Sequence, residues 1–322
     1  MKLVGPFLLF TAAMFGAVDG TVMNQTTNKP QPNATVTLLR IGQGMEQLGT
    51  VKADAQGHFS INQDLKPGSP HLLQAGYQGV TYSKMIPPGT PSTDLRLFVF
   101  EASANKGGAK VIQDMVLLEP GPNETGVSEV VVFHNDGKTT YFDPKGSFRF
   151  YLPAAAGGRV NVQVTGPGGM PIARTAEKTD TPNVYAVNYP VKPGETHFDL
   201  AYAMPAGSPG VLEGKLMNGG GPLRIVVPKG VTLAGGNLKN LGTEPRTQAS
   251  IYEVQGDEYK VEFTGTGSLR PPAEAAGRAP SQGDQPEIEA RKPRIYDRLY
   301  PMLGLVGMIL FCGFFLLYRK TV

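Results

Sequence analysis

Tryptophan is absent from this 322-residue chain, and cysteine occurs once, at Cys312. A single thiol excludes an intramolecular disulfide framework and every Cys-x-x-Cys metal, redox or haem-attachment motif. Histidine is also scarce: His58, His71, His134 and His197 are scattered and form neither a His-Glu-x-x-His nor the His-x-x-Glu of zinc carboxypeptidases. There is no Gly-x-Ser-x-Gly elbow, phosphate loop, dinucleotide fingerprint or Asp-x-Asp-x-Asp-Gly calcium loop. The expectation is a non-enzyme with no cofactor and no metal. One-signed charge is missing too. Of the 30 Lys+Arg and 27 Asp+Glu, 27 basic and 26 acidic residues fall within 21–298, a net charge of +1 that leaves no basic surplus for nucleic-acid binding. No soluble stretch of twelve residues carries a clean helical period.

What is present is turn and strand. Gly (41) and Pro (28) are spread along the chain without a strict period, which disfavours long soluble helices. Between them lie short apolar or alternating runs such as "ATVTLLRI" (34–41), "DLRLFVFEA" (94–102), "SEVVVFHNDG" (128–137), "RVNVQVTG" (159–166) and "EYKVEFTG" (258–265). Alternate residues are apolar in several, as in Val160, Val162 and Val164, the period of a half-buried strand. The fold class predicted is all-β: tandem β-sandwiches of Ig-like or transthyretin-like type, with an N-terminal signal peptide and one C-terminal transmembrane helix. Domains are expected at 21–104, 105–206 and, as a smaller third unit, 210–268.

Both ends are apolar. Residues 1–20 place Lys2 before an apolar stretch ending in small residues, the pattern of a secretory signal cleaved between Gly16 and Gly20. Residues 299–318 run uncharged for twenty positions, about 30 Å as a helix and enough to span a bilayer core. Tyr300 and Tyr318 flank this run, and Arg319 and Lys320 follow it as a cytoplasmic anchor at 319–322. A Pro-rich stalk fills 269–298. The predicted topology is single-pass, with the β-domains in the periplasm or outside the cell and the C-terminus in the cytoplasm.

The same octapeptide pattern is written twice, "DAQGHFSI" at 54–61 and "DPKGSFRF" at 143–150. Asp54 and Asp143 are placed to bond backbone N–H groups ahead of them, and Gly57 and Gly146 to accept the positive φ that ends a tight turn. The aromatic and its i+2 neighbour then face one side of the next strand. Each copy is expected to form a hairpin corner that delivers a Phe into a core, and "HNDGK" (134–138) a second kind of turn joining two strands.

Around the first copy stand Gly20 and Val22, Pro30 and Pro32 before Ala34-Thr35-Val36, Thr50, Asp54, Gly57 and Phe59, then Pro67-Gly68 and Tyr77. This arrangement, over roughly 18–100, resembles the carboxypeptidase regulatory-like domain, a transthyretin-like β-sandwich. The resemblance implies a structural or binding module of the bacterial envelope type without hydrolytic activity. Related starch-binding-like folds bind sugar, so Tyr77 and Tyr82 are the candidate contacts for a carbohydrate ligand. The partners expected are the bilayer, through 299–318, and an envelope protein or a polysaccharide. A further reading is an accessory subunit of a membrane complex, with Gly304, Gly307 and Gly313 leaving room for close helix packing. Loops 165–175 and 203–210 are candidate docking contacts. Three sequons, at Asn24, Asn33 and Asn123, point to surface positions.

Overall fold

The computed structural model describes residues 17–269 apart from Pro67 and Gly236. All but the last four residues of the expected signal, the stalk past Leu269, the apolar span and its tail lie outside the described residues. Among the described residues no helix is long and apolar enough to cross a membrane.

The first half is built from β1 (Val18–Asn24), β2 (Lys29–Pro30), β3 (Thr35–Ile41), β4 (Met45–Lys52), β5 (His58–Ile61), β6 (His71–Tyr77), β7 (Val80–Ile86) and β8 (Leu95–Val99). Alternation in these strands is strict where it matters, since Val18, Gly20, Val22 and Asn24 are the buried positions of β1. One sheet carries β2, β1 and β5, with β8 parallel to β1; the other runs β4-β3-β6-β7. Their inner faces enclose a core that includes Val36, Leu38, Phe59, Leu73, Tyr82, Ile86 and Leu97. The first strand begins at Val18, ahead of the expected boundary at 21, and Val18 is fully buried opposite Ile61.

The second half contains β9 (Ala102–Ser103), β10 (Ala109–Pro120), β11 (Glu124–Asn135), β12 (Thr140–Tyr141), β13 (Phe148–Tyr151), β14 (Asn161–Thr165), β15 (Ile172–Arg174), β16 (Glu177–Lys178), β17 (Val184–Val187) and β18 (Gly194–Pro205). After these come β19 (Gly210–Lys215), β20 (Leu223–Val227), β21 (Thr232–Ala234), β22 (Leu238–Thr243), β23 (Ser250–Val254) and β24 (Glu258–Thr264). An eight-stranded sheet, β15-β14-β18-β11-β10-β20-β23-β22, is covered on its inner face by two three-stranded sheets, β13-β17-β16 and β19-β24-β21. The single described helical element is one 3-10 turn, Ala154–Ala156. The fold is all-β.

The boundary expected near 206–210 does not separate two units. β20 pairs in parallel with β10, placing Leu223–Val226 beside Asp114–Leu117, and β23 and β22 extend the same sheet. Phe133, Phe148 and Phe198 therefore share one core with Leu212, Val261 and Phe263. A parallel pairing between segments about a hundred residues apart leaves no mark in local sequence.

Both octapeptides form the turn their chemistry requires. Gly57 (φ 74°) and Gly146 (φ 106°) donate to the carbonyls of Asp54 and Asp143, at 3.0 and 2.9 Å. The Asp54 Oδ1 accepts from the Gln56 and His58 amides, and the Asp143 Oδ1 from the Lys145 amide. Phe59, Ile61, Phe148 and Phe150 are all buried. Neither turn is a hairpin corner, however. β4 and β5 belong to different sheets, as do β12, in a two-stranded β12-β9 sheet, and β13, so each copy carries the chain from one sheet to another. The "HNDGK" turn likewise joins strands that do not pair with each other: β11 ends there, and β12 pairs with β9.

Candidate functional site

Two carboxyl sites stand out, one at the junction of the halves and one inside the second core. At the junction, the Glu101 carboxylate accepts from Tyr77 Oη at 2.7 Å, from Asn24 Nδ2 at 2.7 Å and from Gln78 Nε2. The Glu101 amide donates to Thr26 Oγ1, which itself donates to the carbonyl of Lys138 in the second half. Tyr82 Oη lies 2.9 Å from both the Phe100 carbonyl and Thr140 Oγ1. Lys192 reaches back to the Thr81 carbonyl and lies 5.1 Å over the Tyr82 ring. Burial pushes the Glu101 carboxyl upward, but the three donors outweigh it and hold the group below its ordinary range. Burial and the Glu101 charge together raise Tyr77 to about 12, and burial lowers Lys192 to about 8.

Tyr77 and Tyr82 are thus committed to this junction. Tyr82 is only 5% exposed, with its hydroxyl bonded and a lysine over its ring, so it offers no face on which a sugar could stack. The sequon at Asn24 also fails as a surface position. Its side chain is buried and bonded to Gln31 and Glu101. Asn33 and Asn123 are exposed.

The second site lies on the inner face of the eight-stranded sheet, at the seam between its two covering sheets. Asp114 stands opposite Val131 and Leu223, and Glu129 opposite Val116 and Leu200, which makes the two acids diagonal neighbours on the core side of β10 and β11. Tyr151, Lys215, Leu216 and Tyr259 complete a chamber with about 10 Å³ for the centre of a water-sized sphere, room for a single water. The Asp114 Oδ1 is buried without a hydrogen-bond partner. The nearest lining cation, Lys215, pairs with Glu258 at 2.7 Å. Glycine is required at one wall: a Cβ on Gly214 would come within 2.4 Å of the Tyr259 ring, which lies across β19.

Burial without a counter-charge disfavours the ionised form. It raises Asp114 to about 7 and, together with the Asp114 charge, pushes Glu129 well above the carboxylate range. Tyr202 and Tyr259 are raised by burial first and then by the Glu129 charge. The pair can therefore hold a proton near neutrality. The chamber itself has room for about one water, while Glu129 also lines a neighbouring cavity of about 280 Å³ and Tyr151, Lys215 and Tyr259 an open cleft of about 550 Å³.

The remaining histidines do not converge. His58 touches Thr21, His71 is buried with its pKa lowered mainly by burial, and His134 and His197 flank Glu195 at 3.9 and 3.7 Å on the outer face. Among the described residues no group of three or more His, Cys, Asp or Glu is arranged to hold a metal ion.

Sequence patterns that name the junction are weak, because Glu101 follows its strand at an unpatterned position. The seam did leave a signal. Asp114, Val116 and Leu118, and likewise Val127, Glu129 and Val131, alternate on the apolar register, with an acid where a core residue belongs.

No family model matches the chain, and no curated protein matches it. Among solved structures, the M1 zinc metallopeptidase of Deinococcus radiodurans is similar at 14% identity, and a mutant form of it bound to a Tyr-Ser-Ala substrate at 16%. Each match covers 49% of this chain and 42% of the peptidase chain, with a TM-score of 0.25. This chain thus spans less than half the length of those peptidases, and a likeness at that score carries no argument about fold or activity.

Proposed function

We propose that this is an exported, membrane-tethered protein whose two β-sandwiches form one rigid, non-catalytic body with a binding or structural role in the cell envelope. The observation that carries the reading is how the body is joined and where it ends. The Glu101 junction lies beside the Ala109 end of β10, while the last described residues are pinned at the other end. The Gly267 amide donates to the Pro120 carbonyl, and Glu119 accepts from Ser268 and Leu269. Twelve residues of strand separate the two, about 40 Å. The chain leaves the body at the end remote from the first sandwich, as suits a module held out on a stalk.

A leader removed before Val18 leaves β1 whole. Removal after Gly20 would delete the Val18–Ile61 pairing and the buried Val18 side chain. The predicted N-terminus of the mature protein is therefore residue 17 or 18. The sugar-module alternative loses its proposed platform with Tyr82 buried.

The test is fractionation of cells expressing the full chain and a version ending at Arg298. The full chain is expected in the membrane fraction, resistant to carbonate and digestible by protease from outside the inner membrane, and the shortened chain in the soluble exported fraction. Recovery of the full chain as a soluble cytoplasmic protein overturns the proposal.

A further inference from the structure

β18 is twelve residues long and β11 pairs with all of it. On its other side β14 pairs only with His197–Ala201. Among the described residues no strand lies beside that edge past Ala201; the chain entering β14 comes from the 3-10 turn through Gly157, in the left-handed region at φ 61°. Successive residues of a strand direct their N–H and C=O groups to alternate sides. The Ala206 amide bonds to Asn123 on the β11 side, so the Ala203 amide and carbonyl face the open side.

A cleft of about 760 Å³ runs along this bare edge, lined among others by Arg159, Asn161, Arg174, Thr175, Tyr185 and Ala203. Of the two stretches read from the sequence as docking loops, the cleft is reached by Arg174, the last residue of β15, with Thr175 after it, and by Ala203, inside β18. Arg159 and Arg174 are exposed, and no carboxylate pairs with either among the described residues. Arg174 is held 5.3 Å over the Tyr189 ring, and Tyr185 is stacked on Phe150 at 5.8 Å. One acid, Glu124, stands in the lining, opposite Pro205 at the end of β18.

We infer that this cleft takes an extended acidic segment of a partner protein, which adds as a short strand to the Ala203 edge and sets carboxylates against Arg159 and Arg174. A free N–H and C=O on a sheet edge supply the backbone bonds of strand addition. The two guanidiniums in the lining supply selectivity for acidic side chains, each of which an arginine can bind bidentately. Glu124 disfavours an acid at the hairpin end, which fixes the direction in which charge is read. The inference rests on the binding role proposed above and gives that role a surface and a partner class.

The experiment uses the full chain in mild detergent and three labelled probes: a ten-residue alternating Glu-Thr peptide, its Lys-Thr counterpart and polygalacturonate. Fluorescence anisotropy is expected to show saturable binding of the Glu-Thr peptide only, weakening as salt is raised. The double variant Arg159→Glu/Arg174→Glu is expected to lose about tenfold or more in affinity. Ala203→Pro, which removes the edge amide at a position where an edge strand tolerates proline, is expected to lose a similar amount. Both variants are expected to leave the thermal midpoint in place, because Arg159, Arg174 and Ala203 are exposed. Glu-Thr binding that survives the charge reversal, or that is absent up to about 1 mM, overturns the inference. Polygalacturonate binding that depends on the two arginines but ignores Ala203→Pro also overturns it, in favour of a sugar-acid site. Loss of peptide binding in a protein that still fractionates with membranes removes this surface and leaves the tethered reading standing.

Discussion

Glu101 is a partly buried carboxyl and Asp114 a deeply buried one, and the protein shifts them in opposite directions. At the junction three donors converge on Glu101 and keep it ionised; at the seam Asp114 has an oxygen with no partner and a second acid beside it, and it takes up a proton near pH 7. Burial acts in the same direction on both. What differs is both the depth of burial and the supply of donors, so the same side-chain chemistry serves as a fixed anion in one place and a proton holder in the other.

The comparison breaks most visibly at the junction. Glu101→Ala leaves Tyr77, Asn24 and Gln78 without their common acceptor, and the expected loss is about 3 kcal/mol of unfolding free energy, measured in urea at pH 7. Glu101→Gln retains the shape but turns an acceptor into a donor, and is expected to recover less than half of that loss.

At the seam the sign reverses. Because the folded-state pKa of Asp114 is raised from 3.8 to about 7, the stability linked to this group is fully present below about pH 4 and is lost as pH rises through about 7. Asp114→Asn removes the charge and is expected to gain about 2 kcal/mol over the native chain at pH 8, with the difference vanishing by pH 4. Paired unfolding curves at the two pH values check it. Coupling within the pair is the next effect in size. With Asp114→Asn in place, Glu129 loses the neighbour that raises it, and its titration, followed by carboxyl NMR, is expected to move to lower pH. The smallest effect is at an exposed, satisfied carboxylate. Asp54→Ala gives up two bonds to backbone amides and is expected to cost about 1 kcal/mol, measured in urea at pH 7.

The strands and the two sheet-crossing turns were legible because they are local: alternation fixes the buried face, and Asp-x-x-Gly-x-Phe fixes the turn and the first core residue after it. The seam acids were half legible. In "SEVVVFH" the apolar run covers both faces of β11, with Val130 partly and Val132 largely buried, so residue types alone do not reveal that Glu129 sits on the inner register. Tyr82 was misread for the complementary reason. An aromatic in an alternating strand is a platform or a core residue according to which face is covered, and that depends on Lys192 and Thr140, more than fifty residues away. The merger of the last two expected units into one sheet turns on the parallel β10–β20 pairing, which no local pattern encodes.

Calorimetric unfolding of the full chain in detergent at pH 7 tests the central claim that the two sandwiches are one body joined through Glu101. One cooperative transition for the β-region is predicted, resolving into two in Glu101→Ala; two independent transitions in the native chain would contradict the account.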